Sequence, residues 1–265
     1  LSAERARTNI EAMRIVSLCP SLTELVFDLG RGADLVGITE YCVHPADAVG
    51  AIEKVGGTKT PNVARIAELA PDVVLLNEEE NRREDEEALA RAGVRCLTTF
   101  PRDSAGTADM VRVIGAALDR ADGAEAIARD IETRSDRVRA ASRGARVVSF
   151  AYLIWRKPWM SVNADTFAHA LLEQAGGRNV FASRTERYPE IAIEDLVRAE
   201  PKLVLLCTEP FPFETKHIEE LALLTGFERD RFRVADGEYL SWHGSRTPAG
   251  IDYAERLIAD ARARG

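Results

Sequence analysis

No stretch of this sequence approaches the ~18 to 20 uninterrupted apolar residues of a membrane span, so a soluble body is expected. Positive charge is in deficit: 35 Lys and Arg stand against 43 Asp and Glu, a net charge of −8. Such a balance creates no overall field to attract nucleic acid or an anionic membrane, and neither is expected as a partner. Cysteines number only four, Cys19, Cys42, Cys96 and Cys207, with no CxxC pair, which excludes a zinc ribbon and a dithiol redox motif. Cys19, Cys96 and Cys207 lie in apolar runs and are expected as small core residues, with Cys42 the exception. Catalytic motifs are missing too: there is no GxGxxG at the first strand–helix turn, no P-loop, no nucleophile elbow and no HExxH, and no enzyme activity is expected. Residues 1–12, LSAERARTNIEA, lack the apolar core of a secretory signal. Two readings stand there: a cytoplasmic protein starting near Met13, or a periplasmic or extracellular one whose signal has been removed.

What is present is an alternation of short β-branched runs with helical stretches, the pattern of a parallel sheet with crossover helices. The first series reads RIVSL (14–18), a helix from Ser21 with Glu24 at capping-box spacing, DLVGIT (34–39), a helix over 62–70, DVVLL (72–76), an acidic helix over 79–92 and VRCLTTF (94–100). A second series runs through RVVSFAYL (146–153), MSV (160–162), a helix over 165–175, IEDLVRAE (193–200), LVLLC (203–207), a helix over 216–224 and RFRVAD (231–236). VARIAELAPDVVLL (63–76) matches IEDLVRAEPKLVLL (193–206) at an offset of 130 residues, with Pro71 on Pro201. Between the series, Ala124, Ile127, Ile131 and Val138 follow helical spacing in a stretch without Pro, which predicts one long helix. The expected fold is α/β: two Rossmann-like lobes with central parallel sheets, 14–121 and 145–265, joined by a backbone helix over 122–144.

RIVSLCPSLTELVFDLG (14–30), VGGTKTPNVARIAELAPDVVLL (55–76) and PWMSVNADTFAHALLEQAGGRNVF (158–181) together resemble the helical-backbone class (class III) of substrate-binding proteins. Members of that class serve ABC importers of cobalamin, ferric siderophores, heme and related chelates. The resemblance spans Arg14 to the C-terminus and is strongest to cobalamin-binding members. It implies a monomeric receptor holding a corrinoid or iron chelate, with no covalent cofactor, in a cleft between the lobes. It also implies ligand contacts at Tyr41, Trp159, Tyr188 and Arg246. Two departures matter. Thr58 and Asn77 stand where cobalamin-binding relatives offer further aromatic residues. Of the two acidic positions that engage an ABC permease, Glu194 fills one and Ala64 the other, which weakens the implied docking.

The residues themselves add candidates. In EYCVHP (40–45), Cys42 and His44 are two apart, so in an extended segment both reach one side and a soft or borderline metal. The alternative is that Cys42 packs and His44 fixes the loop. In YLSWHGSRT (239–247), Trp242 is placed to pack on a planar ligand, His243 to ligate a metal and Arg246 to hold an anionic group. The alternative there is a Trp242 that closes a core and an Arg246 paired with an acidic neighbour. TEPFPFETKH (208–217) offers Phe211, Phe213 and His217, with Phe213 preferred. IWRKPW (154–159), a polar, Pro-containing loop that disfavours full burial, contributes Trp155 and Trp159. The acidic run 77–87 is expected as a solvated helix start, with Arg82 and Arg83 paired to Glu86 and Glu87. NADT (163–166) reads as a helix N-cap. Two other functions compete: a direct metal-ion site of Cys42, His44, His217 and His243, and a cytoplasmic non-transport module on the same fold.

Overall fold

The computed structural model describes residues 13–264, so the reading of residues 1–12 as lacking a signal lies outside the described residues. Packing divides the chain into two compact units, one ending at Thr99 and one beginning at Phe100.

The first unit comprises β1 (Ile15–Ser17), α1 (Pro20–Asp28), β2 (Leu35–Ile38), a small antiparallel pair β3 (Gly56–Gly57) and β4 (Thr60–Pro61), α2 (Val63–Glu68), β5 (Val73–Asn77), α3 (Arg83–Arg91) and β6 (Cys96–Thr99). Its main sheet has the order β2-β1-β5-β6, parallel throughout. Every residue of β5 is buried, as a strand covered on both faces must be. Val16, Leu18, Ile66, Val74, Leu76 and Leu89 join strands to α2 and α3 in one apolar cluster. The predicted capping box at Ser21 does not form, because Pro20 occupies the first helical position, Cys19 is the N-cap and Ser21 is buried inside the first turn.

In the second unit the order is α4 (Ser104–Ala117), α5 (Ala121–Ser142), β7 (Val148–Leu153), α6 (Phe167–Gln174), β8 (Gly177–Asn179), α7 (Ile193–Ala199), β9 (Leu203–Cys207), α8 (Thr215–Thr225), β10 (Phe232–Ala235), α9 (Gly237–Ser241) and α10 (Thr247–Arg264). The sheet runs β8-β7-β9-β10, again parallel, which reproduces the first sheet with β7 in the place of β1. The repeat read from sequence is thus structural: α2 and α7, and likewise β5 and β9, start 130 residues apart. Even the backbone repeats, since Ala70 and Glu200, each just before the matched proline, both adopt left-handed conformations at φ of 45° and 44°.

The long helix is present as α5, 22 residues or about 33 Å. It packs within the second unit, against α4, α6 and α10. Arg134 and Arg137 on α5 pair with Asp252 and Glu255 on α10, and Arg112 on α4 pairs with Glu125 and Glu132. Consequently α4, assigned by sequence to the first lobe, goes with the second unit by packing. MSV (160–162) does not form a strand; Met160 makes single antiparallel bridges to Trp155 and Glu190.

Candidate functional site

Ligands of open parallel sheets sit at the carboxyl ends of the strands, where loops are free to diverge while the sheet stays fixed. In the first unit that edge is organised by an asparagine pair. Asn81 accepts from the Asn77 backbone N–H at 2.8 Å and donates from Nδ2 to the carbonyls of Leu18 at 2.9 Å and Thr58 at 3.0 Å. It thereby ties the ends of β1 and β5 to the β3–β4 turn. Asn77, fully buried, donates to the Thr99 carbonyl at 3.0 Å. Both asparagines are structural, and the Asn77 side chain closes the sheet edge.

Tyr41 follows β2 and is 59% exposed. Its ring lies over Gly57, where a Cβ would approach Tyr41 Cε2 to 3.3 Å, and the Glu40 N–H donates to the Gly56 carbonyl at 3.0 Å. The glycine turn therefore supports an outward-facing phenol. Its neighbour Cys42 is instead 1% exposed, with its Sγ 3.1 Å from the hydroxyls of both Thr23 and Thr39. Of the two sequence readings for Cys42, packing is the one the geometry matches, since the thiol is enclosed and already bonded. His44 is half-buried and precedes Pro45 across a cis peptide bond. Cys19 and Cys207 are buried and Cys96 partly so; burial pushes the Cys19 thiol up to about 12 and the Cys96 and Cys207 thiols up to about 11. Such thiols stay protonated and make poor metal ligands.

The second unit gathers aromatic rings at the carboxyl edge of its sheet. Trp155 packs edge-on against Phe211 at 5.7 Å, and Trp159 stacks on Phe213 at 6.2 Å with the planes only 9° apart. Phe211 and Phe213 meet at 4.7 Å, and His217 lies 5.4 Å from each. Phe213 is buried at the base, Trp159 is half-buried and Trp155, 39% exposed, is the open end. Tyr188, after β8, is 37% exposed and adjoins Arg187, whose guanidinium lies 4.7 Å over the Phe100 ring and pairs with Asp165, as Arg102 does. Phe100, Arg102 and Asp165 around Tyr188 were not singled out in the sequence, because their meeting spans 63 to 87 residues of chain.

The segment 239–247 comprises the end of α9, a short link and the start of α10. Trp242 is buried and its indole N–H donates to Glu209 at 3.0 Å. Arg246 pairs with Glu238 and lies 4.9 Å over the Trp242 ring. His243 is buried edge-on to Phe167 at 5.9 Å, and burial pulls its imidazole down to about 4. These are the packed and ion-paired alternatives for Trp242 and Arg246, reached because Glu209 and Glu238 supply half-buried acceptors that sequence spacing does not reveal. A site of Cys42, His44, His217 and His243 fares no better: among the described residues no three His, Cys, Asp or Glu side chains are grouped to hold a metal ion. Arg82 pairs with Asp85 rather than Glu86, and Arg83 with Glu87 as expected. Thr166 caps α6 by accepting from the His169 N–H. Glu194 and Ala64 are both exposed at the second position of their equivalent helices α7 and α2.

Comparison with known proteins agrees with this fold. A vitamin B12-binding protein of Vibrio cholerae is 23% identical over 248 residues, 93% of this chain and 88% of that protein. Among solved structures, the fold is similar to the periplasmic vitamin B12 binding protein BtuF of Vibrio cholerae, with a TM-score of 0.82 at 20% identity, covering 95% of this chain and 98% of that one. It is equally similar to the apo periplasmic heme-binding protein RhuT from Roseiflexus sp. RS-1, with a TM-score of 0.82 at 22% identity over 95% and 99% of the two chains. The family model described as periplasmic binding protein matches residues 15–223, and this chain belongs to that family.

Proposed function

We propose that the chain is a non-catalytic receptor for a flat metal chelate of corrinoid or heme type. One observation carries the reading. Among the described residues, the exposed large aromatic side chains are Tyr41, Trp155 and Tyr188, and each lies on a loop that follows a strand of a parallel sheet. Aromatic residues make up only 6% of the chain, so their exposure at the ligand-binding edges is not a by-product of abundance. A broad apolar face is what a macrocycle offers such rings, each worth ~0.5–1.5 kcal/mol beyond the area it buries. The relatives named for vitamin B12 and heme point to the same ligand class. Delivery to an ABC permease is part of the proposal, with Glu194 as the docking charge and Ala64 leaving the other helix start without one. Membership of the periplasmic binding protein family supports a periplasmic or extracellular setting for this work.

Native mass spectrometry with cyanocobalamin, hemin, a ferric chelate and divalent metals tests the reading. A one-to-one complex with a chelate is expected, and Trp155→Ala should weaken it about tenfold, the equivalent of ~1.4 kcal/mol, at unchanged melting temperature. Absence of saturable binding of every chelate at about 50 μM ligand, or retention of a bare metal ion alone, overturns it.

A further inference from the structure

The aromatic cluster of the second unit ends in a histidine whose role is set by its hydrogen bonding. His217 stands in the first turn of α8, 6% exposed, with its ring held edge-on between Phe211 and Phe213. Its Nδ1 accepts from the Glu214 backbone N–H at 2.9 Å. An imidazole nitrogen that accepts carries no proton, so in the neutral ring the proton is on Nε2. That nitrogen has no hydrogen-bond partner among the described residues, and it is not one of the enclosed unpartnered atoms, which are Ser135 Oγ, Gln174 Nε2 and Ser245 Oγ. The nearby Glu220 carboxylate is taken by Arg156, at 2.7 and 2.9 Å. A protonated Nε2 has no lone pair to offer a metal, but it is a fixed donor on a ring set against Phe211 and Phe213.

We infer that His217 is a specificity-determining residue, donating its Nε2 hydrogen to an acceptor oxygen, a carboxylate or amide carbonyl, on the rim of the bound chelate. It never ligates the metal. The inference rests on the receptor reading above. It narrows the ligand class to chelates that carry peripheral acceptor groups, since a bare macrocycle would leave the donor buried without a partner, at a cost that discriminates against it.

The test uses two substitutions that both preserve the backward bond to the Glu214 N–H, because Gln and Glu are the residues that make this bond at the third helical position. His217→Gln keeps an N–H donor; His217→Glu removes it. Cyanocobalamin and hemin, both bearing acceptor groups, are titrated into each variant, with thermal melting as the control for folding. For the chelate that the wild type binds, affinity should fall at least tenfold in His217→Glu and by less than about threefold in His217→Gln, with no change in the metal's axial-ligand bands in either. Equal binding by wild type and His217→Glu overturns the inference, as does an equal loss in both variants at unchanged melting temperature. A change in axial-ligand bands in His217→Gln also overturns it, since it would make the imidazole a metal ligand. Failure of the wild type to bind any chelate overturns the receptor reading itself, a distinct result from binding that ignores His217.

Discussion

His243 shows how much a single side chain's surroundings decide. The sequence offers an imidazole in a loop after a strand, a plausible metal ligand; the structure encloses it against Phe167 with its Nδ1 3.3 Å from the Ser241 carbonyl. Burial lowers its pKa from 6.5 to about 4, so the fold favours the neutral ring. In the unfolded chain the ring takes up a proton as pH falls through 6.5, while the folded chain does so only near 4. The stability that depends on neutral His243 is therefore fully present above pH 6.5 and is lost between pH 6.5 and 4, up to about 3 kcal/mol. Urea unfolding of wild type and His243→Gln at pH 7.5 and pH 5 checks this: the difference between the two proteins should shrink at pH 5. A difference that is the same at both pH values contradicts it. Tyr41, a candidate through the family resemblance, and Trp155, a candidate from its polar loop, are both exposed.

Elements were legible wherever periodicity was strong. The runs DVVLL and LVLLC became β5 and β9, and NADT became the cap of α6 through Thr166. Illegible elements were those whose definition comes from neighbours: the three-residue β8 exists by pairing with β7, and α9 is a five-residue helix that no sequence pattern announced. The Asn77–Asn81 pair belongs with these, for the three bonds of the Asn81 side chain join segments up to 63 residues apart. Asn81→Ala strands the carbonyls of Leu18 and Thr58 and the N–H of Asn77 at a buried sheet edge. An unfolding cost of about 2–4 kcal/mol is expected, with faster amide exchange at Asn77. Wild-type exchange at that amide would show that the latch is dispensable.

For the whole molecule, a ligand that binds only the folded chain stabilises it by mass action, about 2.7 kcal/mol at a ligand concentration one hundred times the Kd. Melting scans with the chelate identified by mass spectrometry should rise with the logarithm of its concentration, and Trp155→Ala should need about tenfold more ligand for the same rise. By itself the sequence determined the α/β class, the duplicated strand–helix series with its 130-residue offset, and the long helix, because periodicity and proline placement are local properties. Only the tertiary structure decided which tryptophan stays open and which cysteine is enclosed. Trp155 and Trp242 look alike in sequence, but Glu209, 33 residues from Trp242, accepts the indole N–H of one and none of the other. Exposure is set by partners distant in the chain, and no local pattern encodes who those partners are.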